Sequence, residues 1–155
     1  MDLYHWLLTL HITAAFLFVG GSVAAGILNT LAVRAERPSE TAALLKLIRR
    51  VLPLVFIGVA GTLIFGIWLW HCQHYPIGTA WLWISLALWV VANALGGIGG
   101  RHQEKARELA ERLAAQGDAT TAELKALLAD PKGNAVSWAA GVATLAILAL
   151  MIGKP

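Results

Sequence analysis

"LYHWLLTLHITAAFLFVGGSVAAGILNTLAV", residues 3–33, contains no Asp, Glu, Lys or Arg. A helix needs about 20 apolar residues to cross the hydrocarbon of a bilayer, so this run is long enough for one crossing with several residues over. Its two imidazoles, His5 near the start and His11 well inside, raise the chemical question. The rest of the chain has the same character. Of 155 residues, 58% are hydrophobic and 14% charged. The mean hydropathy of +0.67 lies outside the range of a soluble domain.

Two further charge-poor stretches follow, Val51–Gly100 and Asn134–Gly153. The last supplies one span. The middle one is too long for a single crossing and is divided by "HCQHYPIGT", residues 71–79, where Pro76 and Gly78 favour a turn. Four helices are expected, at about 4–33, 51–71, 80–100 and 134–153. A cleavable signal peptide does not fit the N-terminus, because no Lys or Arg precedes Arg34 and the apolar run is too long.

Eleven of the twelve basic residues lie between helices one and two or between helices three and four; Lys154 is the exception. The positive-inside rule then predicts both connecting segments in the cytoplasm, both termini outside and up-down-up-down threading. Basic residues placed this way face anionic lipid, so the net charge of +3 is no argument for nucleic acid. Tyr4, Trp6, Trp68, Trp70, Tyr75, Trp81 and Trp83 fall at the outer ends of the spans as an aromatic belt, and Trp138 marks the inner side of helix four.

The cytoplasmic segments read as helical. In the first, Ser39 is a candidate N-cap, with Glu40 in the first turn, and Leu44, Leu45, Leu47 and Ile48 follow on a helical path into helix two. In the second, Ala106, Leu109, Ala110 and Leu113 form an apolar stripe, Glu108 and Arg112 are spaced as an ion pair, and Gly117 can end the helix. Thr120 and Glu123 then have capping-box spacing, ahead of Pro131. The expectation is a short helical hairpin, residues 103–130, lying on the cytoplasmic face. The whole chain, 1–155, reads as one membrane domain without a phosphate loop, nucleophile motif or repeat. The single cysteine, Cys72, excludes an intrachain disulfide.

Ionisable residues inside a membrane are costly and usually functional. His11 lies five residues below Trp6, about 7–8 Å under the interface at helical rise. Ala14, Ala15, Phe18, Ser22 and Ala25 share its side, which Gly21 and Gly26 continue. Small residues mark helix contact, so His11 should point into the bundle beside a surface with room for a flat ligand. Two chemistries suit it. The first is haem b, with His11 as one axial ligand and His71, His74 or Met151 as the other. The second is copper held by His5, His71, Cys72 and His74, since "HCQH" sets a thiol between two imidazoles. A bis-histidine haem needs both imidazoles at one depth, and His71 is level with His5 rather than with His11. His102, beside Arg101, reads as a solvated interfacial group, and Asn29, Thr62 and Asn93 read as hydrogen-bonding glue between helices. No carboxylate falls within any span, so a carboxylate-based proton pump lacks its usual parts.

"LHITAAFLFVGG", "GVAGTLIFGIWLW" and "WLWISLALWVVANALGG" resemble an uncharacterised family of small, predicted four-helix integral membrane proteins of bacteria, over nearly the whole chain. More distantly, the first helix resembles those of HemJ-type protoporphyrinogen oxidases and CopD-type copper-resistance membrane proteins. The HemJ likeness implies haem b and a functional first-helix histidine, which corresponds to His11; its third-helix lysine has no counterpart, since Trp81–Gly100 contains none. The CopD likeness rests on His11 and the outward histidines. The expectation is an all-α, four-transmembrane-helix bundle in a bacterial inner membrane, acting as a b-type haem protein with an electron-transfer or oxidoreductase role near the outer face. Its partners would be lipid and a quinone or outer redox carrier, and a homodimer is compatible with it. The alternatives are a copper-binding or copper-transport protein and a cofactor-free structural subunit.

Overall fold

A computed structural model describes residues 2–72, 76 and 78–153. The described residues form five helices and no strand: α1 (Leu3–Arg34), α2 (Pro38–Cys72), α3 (Ala80–Ala115), α4 (Ala122–Leu128) and α5 (Pro131–Gly153). Two of the starts are set by proline. Pro38 and Pro131 are the first residues of their helices, where the missing N–H is no loss.

One boundary differs from the sequence expectation. α3 runs to Ala115 instead of residue 100, whereas α2 begins at Pro38 and carries the helical path read from Ser39 unbroken into the span at residue 51. Hydropathy marks where a membrane ends, not where a helix does: α2 continues through Pro53, and α3 through Gly96, Gly97, Gly99 and Gly100, without a break. The expected hairpin at 103–130 is therefore not a separate unit lying on a surface. Its first arm is the unbroken end of α3, and its second is the seven-residue α4.

α1, α2, α3 and α5 carry the four stretches long and apolar enough to cross a membrane. Only 6% of the most apolar window of α2 is buried against protein. Phe16 is 76% exposed and Ile152 83% exposed. Outward-facing side chains of this kind belong in lipid, and the chain is an integral membrane protein.

α1 packs along α2, α2 along α3, and α3 along α5; of these neighbouring spans α1 meets α5 least. The α1–α2 seam is the tightest. A Cβ built on Gly58 would stand 2.4 Å from the Phe18 backbone nitrogen, and one on Gly61 would stand 2.7 Å from the Ala14 methyl. One on Gly21 would stand 2.6 Å from Val55 Cγ2. These pairs, 21 with 55, 18 with 58 and 14 with 61, make the two helices antiparallel. Small residues thus allow close backbone approach, as expected for Ala14 and Gly21. Gly26 is the exception, exposed with nothing within 4 Å of a built Cβ. The side chains of Thr62 and Asn93 do not bond between helices. Thr62 donates to Val59 O at 2.9 Å and Asn93 to Trp89 O at 2.8 Å, each within its own helix.

Beyond the spans, at the end bearing the α1–α2 and α3–α4 connections, the helices make a small core. Ala32, Leu45, Ile48 and Ala106 form one cluster; Ala42, Ala110 and Leu124 form a second, with Leu109 and Leu113 against it. The predicted stripe of α3 is therefore buried here. The capping differs from the local reading. Ser39 is the second residue of α2, and its N–H and hydroxyl both donate to the Asp118 carboxylate, at 2.7 and 2.6 Å. Asp118 reaches this position from a left-handed φ of 58°, just after Gly117 at 112°. These two bonds hold its carboxyl below the usual carboxylate range, the Ser39 hydroxyl first. Thr121, not Thr120, caps α4 through Leu124 N, while Thr120 donates to Glu36 O. Arg107 pairs with Glu104 and Glu111, and Glu104 also meets Arg49 of α2; Arg112 touches only the Glu108 backbone oxygen.

Candidate functional site

His11 is placed by the α1–α2 seam. It lies on the same face as Leu7, Ala14 and Phe18, all buried, and is itself 8% exposed. Opposite stands Gly66, where a built Cβ would be 3.1 Å from His11 Cε1 and 3.4 Å from Nδ1. Any side chain at position 66 would press on the ring.

The seam widens toward the end of the bundle that carries the termini. At Gly58 backbone meets backbone. At Gly61 a methyl intervenes, and at Gly66 an imidazole does. Three spacers of growing size along one seam mean that α1 and α2 diverge in that direction. This corrects one expectation: the small-residue side below His11 is not free space for a flat ligand, because Gly58 and Gly61 of α2 fill it.

His11 Nδ1 is buried and has no hydrogen-bond partner among the described residues. The Thr62 backbone faces the imidazole without meeting Nδ1 in a hydrogen bond. The Leu7 carbonyl, one turn back on α1, does not engage it either. An unpaired polar atom in a dry interior costs about 1–3 kcal/mol, a cost that a partner on that nitrogen would remove. Ser85 Oγ and Trp89 Nε1, one turn apart on α3, are the other buried atoms without partners.

The remaining expected ligands that are described lie near the same end of the bundle. His71 is exposed on the last turn of α2, five residues beyond Gly66 and so about 7–8 Å from the His11 level. Cys72, half-buried, follows it. His5 is exposed on α1, 3.8 Å from Asp2 and edge-on to Tyr4. Met151 is half-buried near the end of α5. His74 lies outside the described residues. Among the described residues no three His, Cys, Asp or Glu side chains come close enough to hold a metal ion.

His102 does not have the solvated role expected of it. Its Nε2 lies 3.3 Å from Leu127 O and 3.3 Å from Asp130 Oδ2, so it ties α3 to the α4–α5 junction. Gly133 leaves room for the ring, since a built Cβ there would be 2.9 Å from His102 Cδ2. Both partners are more than 20 residues away in sequence, and local pattern carries no signal for them.

Over residues 5–155 the chain matches the family described as "Predicted integral membrane protein (DUF2269)". No curated protein and no solved structure matches it, and the more distant likeness to porphyrinogen oxidases and copper-resistance proteins gains no support from these comparisons. With nearly the full length matched and four apolar helices folded as that description requires, the chain belongs to the DUF2269 family of integral membrane proteins.

Proposed function

We propose that the protein is a membrane b-type haem-binding protein with an electron-transfer role, and that His11 is an axial ligand. The observation that carries this reading is the buried imidazole with an unpartnered nitrogen, set where α1 and α2 diverge. A neutral imidazole with a free lone pair is a good iron ligand, and coordination removes the cost of leaving that nitrogen dry. Bound haem supplies one-electron transfer. Around it, Gly66 keeps the ring in place, the Gly58 and Gly61 contacts close the site toward the other end, and the apolar helix walls exclude water. His71, His74 and Met151 are the candidates for the sixth ligand. The electron donor or acceptor would be a quinol in the bilayer or a carrier at the outer face.

The optical spectrum of the purified protein, expressed with haem supplied, tests the reading. A Soret band with sharp reduced α and β bands is expected, lost or strongly shifted in His11→Ala while the helical circular dichroism remains. A parent protein that never takes up haem, or an unchanged spectrum in His11→Ala, rejects it. A colourless protein carrying copper would move the assignment to His5, His71, Cys72 and His74.

The placement proposed with this function is the bacterial inner membrane, threaded up-down-up-down with both termini outside, because the basic residues cluster in the two connecting segments. A reporter active only outside the cytoplasm, fused at the C-terminus, should give signal; a silent fusion at normal protein levels overturns the orientation.

A further inference from the structure

At the end of the bundle opposite His11, α1, α3 and the α4–α5 junction line a half-open cavity of about 20 Å³. That is room for one or two atoms of water size. Its polar wall is Asn29 of α1, His102 and Gln103 of α3, Asp130 at the junction, and Asn134 and Ser137 of α5.

The hydrogen-bonding capacity of this wall is used unevenly. His102 Nε2 faces two acceptors, so it carries a hydrogen and offers no lone pair. Asn134 gives its amide N–H to Leu128 O and Ser137 its hydroxyl to Gly133 O, which leaves the Asn134 amide oxygen and the Ser137 lone pairs unused. The amides of Asn29 and Gln103 make no side-chain hydrogen bond among the described residues. Asp130 brings a carboxylate, which accepts from Lys132 N and Gly133 N at 3.2 Å each. No lysine or arginine lines the cavity. This half-open cavity therefore has surplus oxygen lone pairs and one negative charge.

We propose that this cavity binds a single alkali-metal cation, Na⁺ or K⁺, through oxygens of Asn29, Gln103, Asp130, Asn134 and Ser137. A hard cation wants oxygen ligands, which this wall supplies. One carboxylate balances one positive charge. A divalent ion would keep an uncompensated charge in a half-buried place, and its sites usually carry more carboxylates. A transition metal would call for a nitrogen lone pair, and the His102 nitrogen nearest Asp130 has none free. The ion joins α1 to α3 and α5 where direct packing of α1 on α5 is slight. This inference does not depend on the haem reading.

Thermal unfolding of the purified protein, followed by tryptophan fluorescence in choline chloride with NaCl or KCl replacing it at constant ionic strength, tests it. The expected result is a saturable rise in midpoint of about 5 °C for one or both alkali salts. Asp130→Asn, which can still cap α5, and Asn29→Ala, which leaves the α4–α5 junction intact, should each weaken the cation dependence at least tenfold while keeping the parental circular dichroism. The same midpoint in choline, Na⁺ and K⁺ throughout overturns the proposal, as does an undiminished response in both variants. A rise produced by Mg²⁺ alone overturns it as well.

Discussion

Replacing Gly58 by alanine probes the seam on which the candidate site depends. The new methyl would meet Phe18 N at 2.4 Å and Ala14 O and Phe18 Cα at 2.8 Å. All three are backbone atoms of α1 and cannot swing aside. Relief requires the two helices to part by about 1 Å at the crossing, enough to forfeit a quarter to a half of each affected dispersion contact. Overpacking of this kind costs about 1–3 kcal/mol, and rigid backbone on both sides places Gly58 at the upper end. Alanine returns up to about 1 kcal/mol of helix propensity, so a net loss of about 1–2 kcal/mol is expected. The natural control is Gly96→Ala, on α3, where nothing lies within 4 Å. It should be neutral or slightly stabilising. Unfolding in a mixed detergent series, followed by tryptophan fluorescence, compares the two. Equal stability of Gly58→Ala and Gly96→Ala would refute the close approach of α1 to α2, and with it the placement of His11 against Gly66.

Two other outcomes follow from the cap. The Asp118 carboxyl is held low by Ser39, so its contribution is fully present above the ordinary carboxylate value, about 3.9, and is lost as pH falls through the lower folded value. Hydrogen exchange at the start of α2 should therefore quicken as pH falls below about 4, once corrected for the intrinsic rate, and Asp118→Asn, which tolerates the same left-handed backbone, should abolish that acid-dependent part. His102→Ala should loosen the α4–α5 junction by about 1 kcal/mol for the lost bond, and Gly133→Ala should do so by crowding the ring; unchanged exchange at Leu124–Leu128 in both would remove the tie from the account.

The four spans could be read directly, because long runs without charge permit few alternatives. The end of α3 could not, since polar residues such as Glu104 and Arg107 signal the exit from lipid while continuing the helix as good helix formers. The burial of His11 was legible from its depth, and its side from the small residues around it. What fills that side was not, because Gly58, Gly61 and Gly66 read only as an apolar run with glycines until their partner helix is known. His102 was misread for a related reason: Arg101 beside it signals solvent, while Leu127 and Asp130 reach it across a turn. The Ser39–Asp118 bond joins residues 79 apart, and no periodicity or capping pattern announces it.

The 36 residues of α3 measure about 54 Å at helical rise, against about 30 Å of hydrocarbon. More than 20 Å of the rod stands clear of the bilayer, and its far end leads into the turn whose Asp118 grips the start of α2. The two rods are pinned together outside the membrane as well as within it. In a thinner or thicker bilayer, neither can correct a hydrophobic mismatch by tilting or sliding alone. They must tilt as one, so a change in membrane thickness is delivered undivided to α1 and α5 on either side.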